Sequence, residues 1–275
     1  MKTIDFIAIL ALILLFSGCG NSNKQVGQKE GEVVADTVVT LEEVEKATDE
    51  KLPEVDIPKT KKLVSAKFYD TYYDKFRWLK TIENIKYDGN KVVSYDVKED
   101  DGYSYSNTFS YLDDKIVTSD DTYSCSEGLI QNGYRNGPEY DGNKMKKYKI
   151  RQEVSYFFTW ENDNVVFGEC PFDKDEEAFT YKNDECKSPL TYMWLYHTPY
   201  DASSNLSDPE GMFLMAEGYY GTPFTHNLID RCVYDMGWFE FKYEKDEDGY
   251  VTKCTVYASS YGNKPFQKLE LTWAD

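Results

Sequence analysis

Histidine is almost missing from this 275-residue chain, which has only His197 and His226. That excludes metal centres built from several histidines and leaves few general bases. No Gly-x-Ser-x-Gly elbow, P-loop or His-Glu-x-x-His motif occurs. The apolar run at residues 6–16 is eleven long, short of the roughly twenty residues a membrane-crossing helix needs. Basic charge is scarce as well: 31 Lys and Arg stand against 49 Asp and Glu, a net charge of -18. Residues 1–19 are neutral and residues 20–62 carry seven lysines against ten acidic residues, so -15 falls on residues 63–275. DNA, RNA and anionic lipid surfaces require a basic patch, so nucleic acid is not an expected partner. An acidic surface of this kind serves solubility first. No cofactor is implied by any motif.

What is present begins at the N-terminus. Lys2 gives a charged start, residues 6–16 form an apolar core, and the small pair Ser17-Gly18 precedes Cys19. This is the layout of a secretory signal peptide, and a cysteine directly after the small pair resembles the lipobox of bacterial lipoproteins. The resemblance implies cleavage after residue 18, acylation of the Cys19 thiol and anchoring to the bacterial outer membrane, with the periplasmic or surface face open. Phe16 stands where such proteins usually have Leu, and Asp5 is unusual in a signal start. Residues 20–62 then contain no aromatic residue and are dominated by Glu, Lys, Asp and Val. Such a composition cannot bury enough apolar surface to offset chain ordering, so residues 19–62 read as a lipidated acidic tether. Its root-mean-square span is roughly 35 Å, and pulled straight it reaches about 150 Å. Thr40-Leu41-Glu42-Glu43 has capping-box form and marks one short helix within it.

Residues 63–275 are strongly aromatic, as sheets favour. A local pattern recurs: an aromatic residue, a turn of Asp, Asn or Gly, then an aliphatic stretch. It appears at Tyr87-Asp88-Gly89-Asn90-Lys91-Val92, Tyr111-Leu112-Asp113-Asp114-Lys115-Ile116, Tyr140-Asp141-Gly142-Asn143-Lys144-Met145 and Trp160-Glu161-Asn162-Asp163-Asn164-Val165. Phe179-Thr180-Tyr181 is a partial copy; Phe241-Lys242-Tyr243 runs through an acidic turn to Val251, and Leu271-Thr272-Trp273 closes the chain. Side chains at i and i+2 share a strand face, so Phe158 with Trp160, and Phe241 with Tyr243, line one apolar face. Asp-Gly and Asn-Asp supply the left-handed turn positions that hairpins use. The expected fold is all-β, a long twisted antiparallel meander of hairpins. Between Tyr181 and Tyr243 the rhythm breaks, predicting a helical and loop insertion at about 187–235 that covers one face of the sheet. Within it, Asp208-Pro209-Glu210 reads as a capped helix start, predicting a helix over 209–216.

Taken in order, these segments resemble a family of lipoproteins from Gram-negative anaerobes known as domain of unknown function 4595. The Tyr-Asp-Gly-Asn turns, Ser126-Glu127-Gly128-Leu129-Ile130, Gly218-Tyr219-Tyr220-Gly221-Thr222-Pro223 and the ending Asp248-Gly249-Tyr250-Val251-Thr252-Lys253 carry the likeness, over about residues 80–275. The resemblance implies a lipidated all-β envelope protein, and it supplies no functional residues.

Several patterns invite chemistry. Glu244, Asp246, Asp248 and Gly249 imitate an EF-hand loop, but Thr255 stands where the bidentate Glu belongs, so an acidic hairpin turn is the expected reading. Cys170 with Cys186, and Cys232 with Cys254, are candidate bridges or buried thiols; with Cys125 the count is odd, so full pairing within the domain cannot occur. Nothing in the spacing supports a catalytic pair of Cys125 with His197. Tyr192, Trp194, Tyr196, Tyr219 and Tyr220 form a candidate platform for a glycan or peptide, or else pack as core. The leading functional expectation is a non-enzymatic binding or scaffold module. A polymer-acting hydrolase using a carboxylate pair and a purely structural envelope component are the alternatives.

Overall fold

The structure, a computed structural model, describes residues 60–73, 75–132, 137–151, 154–172, 175–193, 195, 198–199, 208–262 and 264–275. Residues 1–59, on which the expected signal peptide, Cys19 and most of the expected tether fall, lie outside the described residues. Strands β1 (Lys62–Tyr72), β2 (Lys75–Asp88), β3 (Lys91–Glu99), β4 (Ser104–Tyr111), β5 (Lys115–Thr118), β6 (Thr122–Ser126) and β7 (Leu129–Ile130) form the first run. β8 (Glu139–Asp141), β9 (Lys144–Arg151), β10 (Val154–Glu161), β11 (Asn164–Cys170) and β12 (Asp175–Glu185) follow. A 3-10 turn (Pro189–Tyr192) and helix α1 (Pro209–Ala216) precede β13 (Asn227–Tyr234), β14 (Gly237–Lys245), β15 (Val251–Ala258) and β16 (Lys264–Ala274).

Every pairing is antiparallel between chain neighbours, except that β1 also pairs with β16. The sheet order therefore runs from β7 back to β1, across to β16, and down to β8. Its two edges are β7 and β8, which are consecutive in the chain. They also face each other: the Tyr140 hydroxyl on β8 donates to the Ile130 carbonyl on β7 at 3.0 Å. The sixteen strands are thus rolled into a barrel, with a side-chain contact rather than a ladder at the seam. The chain between the helix and β13 fills that seam. Ile130 N–H donates to the Tyr219 carbonyl, and Thr222 N–H to the Asn143 carbonyl in the β8–β9 turn.

The recurring aromatic has a defined task. The Tyr87 hydroxyl donates to the Leu63 carbonyl, Tyr111 to Val92, Trp160 to Met145, Tyr243 to Ile229 and Trp273 to Val251, at 2.7–2.9 Å. Tyr181 does the same to Val165. Most of these bonds join the aromatic before one turn to the first inward strand residue after the previous turn, while Leu63 opens β1 and Ile229 follows the insertion; Tyr140 to Ile130 carries the series across the seam. Cys125 occupies the aromatic's place in the β6–β7 hairpin, the one unit of eight without this stitch among the described residues.

The meander alternates direction, so the repeated turns all fall at one end of the barrel, where β1 begins (the near end). The β1–β2, β3–β4, β5–β6, β11–β12, β13–β14 and β15–β16 connections fall at the far end. Inward positions form the core, as in the alternating burial of β15, where Val251, Cys254, Val256 and Ala258 point inward. The predicted helix 209–216 is present with those bounds, its Asp208 side chain accepting from Gly211 N–H at 2.6 Å. The insertion is shorter than expected at its C-terminal side, because 227–234 belongs to β13. It also does more than cover one face. Residues 209–215 are all buried and only the last residue, Ala216, is exposed, so α1 lies inside the rolled sheet.

Candidate functional site

Helix α1 is fastened to the inner wall at both ends. Phe213 packs on Tyr95 of β3 (ring centroids 5.2 Å apart) and Phe109 of β4 (6.5 Å). Near its N-terminus, Glu210 accepts from Asn107 Nδ2 at 2.6 Å and from the Tyr123 hydroxyl. Past its C-terminus, Glu217 accepts from Val92 N–H at 2.7 Å and lies 2.8 Å from the Tyr111 hydroxyl, whose one proton it shares with the Val92 carbonyl. Burial pushes both carboxyls above the usual range; their hydrogen-bond donors oppose the shift, as does the Lys91 charge at Glu217, while Asp121 adds repulsion at Glu210.

At the far mouth α1 bounds a cavity of about 360 Å³ lined by Tyr95, Tyr105, Asn107, Asp120, Asp121, Tyr123, Asp208, Pro209 and Glu210. Burial raises the Asp208 carboxyl to about 7, with Glu210 and Asp121 adding repulsion and the Gly211 N–H opposing it. Asp121 is raised by burial and by Asp120. Burial lifts Tyr105 to about 12. The arrangement can accept hydrogen bonds and attract positive charge. Asp208 and Glu210 were legible as a helix start; Asn107 and Tyr123 were not, because only the rolled sheet brings β4 and β6 to α1.

The aromatic platform read from the sequence does not assemble as a surface. Tyr192 and Tyr220 are buried, at 0% and 1% exposure, because the insertion runs through the interior. The Tyr192 hydroxyl accepts from Ile229 N–H at 2.8 Å and meets the Tyr243 hydroxyl at 3.2 Å. Tyr219 is half-buried, stacked on Tyr111 with centroids 5.7 Å apart. Trp194 and Tyr196 lie outside the described residues, as does His197.

Near the other mouth, Asp163, Cys186, Lys187, Thr222, Thr225 and His226 line a second cavity of about 390 Å³ together with two prolines. Burial pushes the Cys186 thiol up to about 11 and its Sγ–H donates to the Ser188 carbonyl at 3.2 Å, so this thiol is not poised as a thiolate. Cys186 and Cys254 are free thiols, so neither candidate bridge forms, and Cys125 is a free thiol as well. The acidic turn 246–249 holds a side-chain cation: Lys61 Nζ bridges Asp246 at 2.9 Å and Asp248. Among the described residues no group of three or more His, Cys, Asp or Glu is placed to hold a metal ion.

The outer wall carries charge. Lys80 pairs with Glu99 at 2.9 Å, Lys253 with Glu244 at 2.6 Å and Lys268 with Glu270 at 2.7 Å, and Lys67, Lys86 and Lys242 are exposed. Among the described residues no helix is long and apolar enough to cross a membrane. A lysine facing lipid at the bilayer midplane of a spanning barrel costs about 2–4 kcal/mol, so this wall suits water better than hydrocarbon.

No family model matches the chain, and no curated protein matches it. Solved structures do. One, described as a porin-like protein from Bacteroides uniformis, is 14% identical with a TM-score of 0.56, covering 78% of this chain and 99% of its own. The class this defines is an all-β antiparallel meander protein, and the likeness extends to the fold alone.

Proposed function

We propose that this chain is a non-enzymatic binding or scaffold module of the bacterial envelope, held at the outer membrane by lipid on Cys19. The observation that carries the reading is the filled barrel: α1 and its flanking chain occupy the interior, and the wall carries Lys–Glu pairs. A barrel whose interior holds α1 and whose described outer wall carries charge is suited to presenting its rims and outer face. The acidic tether and lipobox supply the means of presentation, and the resemblance to the domain of unknown function 4595 lipoproteins belongs to the same proposal. Replacing Cys19 with Ser tests it. The wild-type chain partitions into a detergent phase and incorporates labelled fatty acid, and the variant does neither; unchanged partition of the variant refutes the anchor.

A second reading, hydrolysis of a polymer by a carboxylate pair, is favoured by one observation: Asp208, raised to about 7, shares a cavity with Asp120 and Asp121. It requires release of reducing ends from an envelope polysaccharide, abolished by Asp208→Asn.

A further inference from the structure

The large apolar side chains that reach solvent are not spread evenly. Of the ten described, seven lie at the far end: Tyr73, Phe76, Tyr103, Phe172, Val233, Met236 and Tyr261. They belong to five hairpins that are consecutive around the barrel, β3–β4, β1–β2, β15–β16, β13–β14 and β11–β12. Met236 is 85% exposed, Tyr73 83% and Phe172 59%. A continuous series of this kind is unlike the scattered single residues found on most soluble surfaces. Tyr73 adds a second indication. It sits at φ 49°, a left-handed conformation rare for a bulky residue, so the turn accepts strain while keeping a tyrosine at its tip.

The described turn residues of this rim carry one sign of charge. Asp100, Asp101, Asp120, Asp121 and Asp235 lie in them, and neither lysine nor arginine does. Among the basic residues that flank the turns, Arg77 faces Asp100 at 3.6 Å. Two such rims repel each other, which disfavours a second copy of this chain as the occupant, and an anionic lipid surface or acidic glycan is disfavoured in the same way.

We propose that the far rim is a docking surface for a basic polypeptide segment, whose apolar side chains pack on the hairpin tips while its Lys or Arg side chains meet the aspartates. This deepens the binding-module reading and rests on it, but not on the lipid. Aromatic and methionine anchors surrounded by complementary charge are the composition of protein-binding hot spots.

The test uses the full chain and a fluorescent decapeptide alternating arginine and leucine, with a glutamate–leucine decapeptide and a neutral cello-oligosaccharide as comparison probes. Anisotropy is expected to show saturable binding of the arginine peptide only. The triple variant Tyr73→Ser, Phe172→Ser, Met236→Ser weakens it at least tenfold, as does Asp100→Asn with Asp101→Asn and Asp235→Asn. The near-end variant Leu112→Ser leaves it unchanged, and unaltered melting temperatures certify folding. Equal binding of the glutamate peptide, loss with Leu112→Ser, or no binding of the arginine peptide overturns the proposal. Rim-dependent binding of the oligosaccharide alone overturns the partner class while leaving a binding module standing. Dimers that dissociate in the triple variant make a second copy the occupant and also overturn it.

Discussion

The two ends of the barrel are built from the same hairpins but solve different problems. The near end is made for closure. Its tips are Asp-Gly, Asn-Asp and acidic turns, and just inside them seven aromatic side chains stitch neighbouring hairpins together, the β6–β7 hairpin excepted. The far end lacks that repeated turn, and five of its adjacent tips expose Tyr, Phe, Val or Met instead. A two-strand repeat forces this division, because every copy of its turn must land at the same end. The contrast teaches that the repeat secures one end and leaves the other free to vary.

The sharpest way to break the comparison is to attack the closed end and its plug. Phe213→Ala, inside the barrel against Tyr95 and Phe109, is expected to cost about 3–5 kcal/mol in denaturant unfolding. Gly221→Ala belongs in the same range: Gly221 has φ +79°, and an added Cβ meets the Asn143 carbonyl oxygen at 2.2 Å, so the seam must shift. A loss under 1 kcal/mol for both would mean that the plug does not hold the fold together.

Asp208 gives a smaller, pH-dependent effect at the far mouth. Its folded carboxyl titrates near 7, above the ordinary value of 3.8, so the fold prefers it protonated. Its contribution is full below about pH 4 and is lost as pH rises toward 7, a change of about 2 kcal/mol after allowing for the water that reaches it. Asp208→Asn keeps the helix cap and should gain stability relative to wild type between pH 5 and 8. Equal pH profiles for the two proteins would show that burial does not perturb this carboxyl.

Tyr140→Phe removes a single stitch at the seam and should cost about 1 kcal/mol, the usual net value of one hydrogen bond. Smallest of all, the far-rim triple variant should change stability by no more than about 0.5 kcal/mol, since exposed tips contribute little to folding. If that variant were instead as damaging as Tyr140→Phe, the two ends would not differ in the way described.

Much of the wall was legible in the sequence. The Tyr87, Tyr111, Tyr140 and Trp160 turns are hairpin turns, Asp208 caps α1, and Phe241 with Tyr243 lines the inner face. The partial copy at Tyr181 was legible only in part, because β12 continues to Glu185 and leads into the plug rather than turning back. For Tyr192, Tyr219 and Tyr220 the sequence left platform and core both open, because aromatics between prolines look alike whether they face water or fill a barrel; the burial of Tyr192 and Tyr220 fits core. Neither the stitches nor the crowded far rim could be read, since both depend on which strands become neighbours.

By itself the sequence determined the local terms: alternating faces, turn chemistry, the helix cap and an acidic surface. Those follow from short-range sterics and composition. Tertiary structure alone decided that β1 pairs with β16, that the sheet closes round α1, and that the exposed apolar tips gather at one end. Such choices come from long-range pairing and from burial of an apolar helix that can be satisfied only when the whole sheet curls around it.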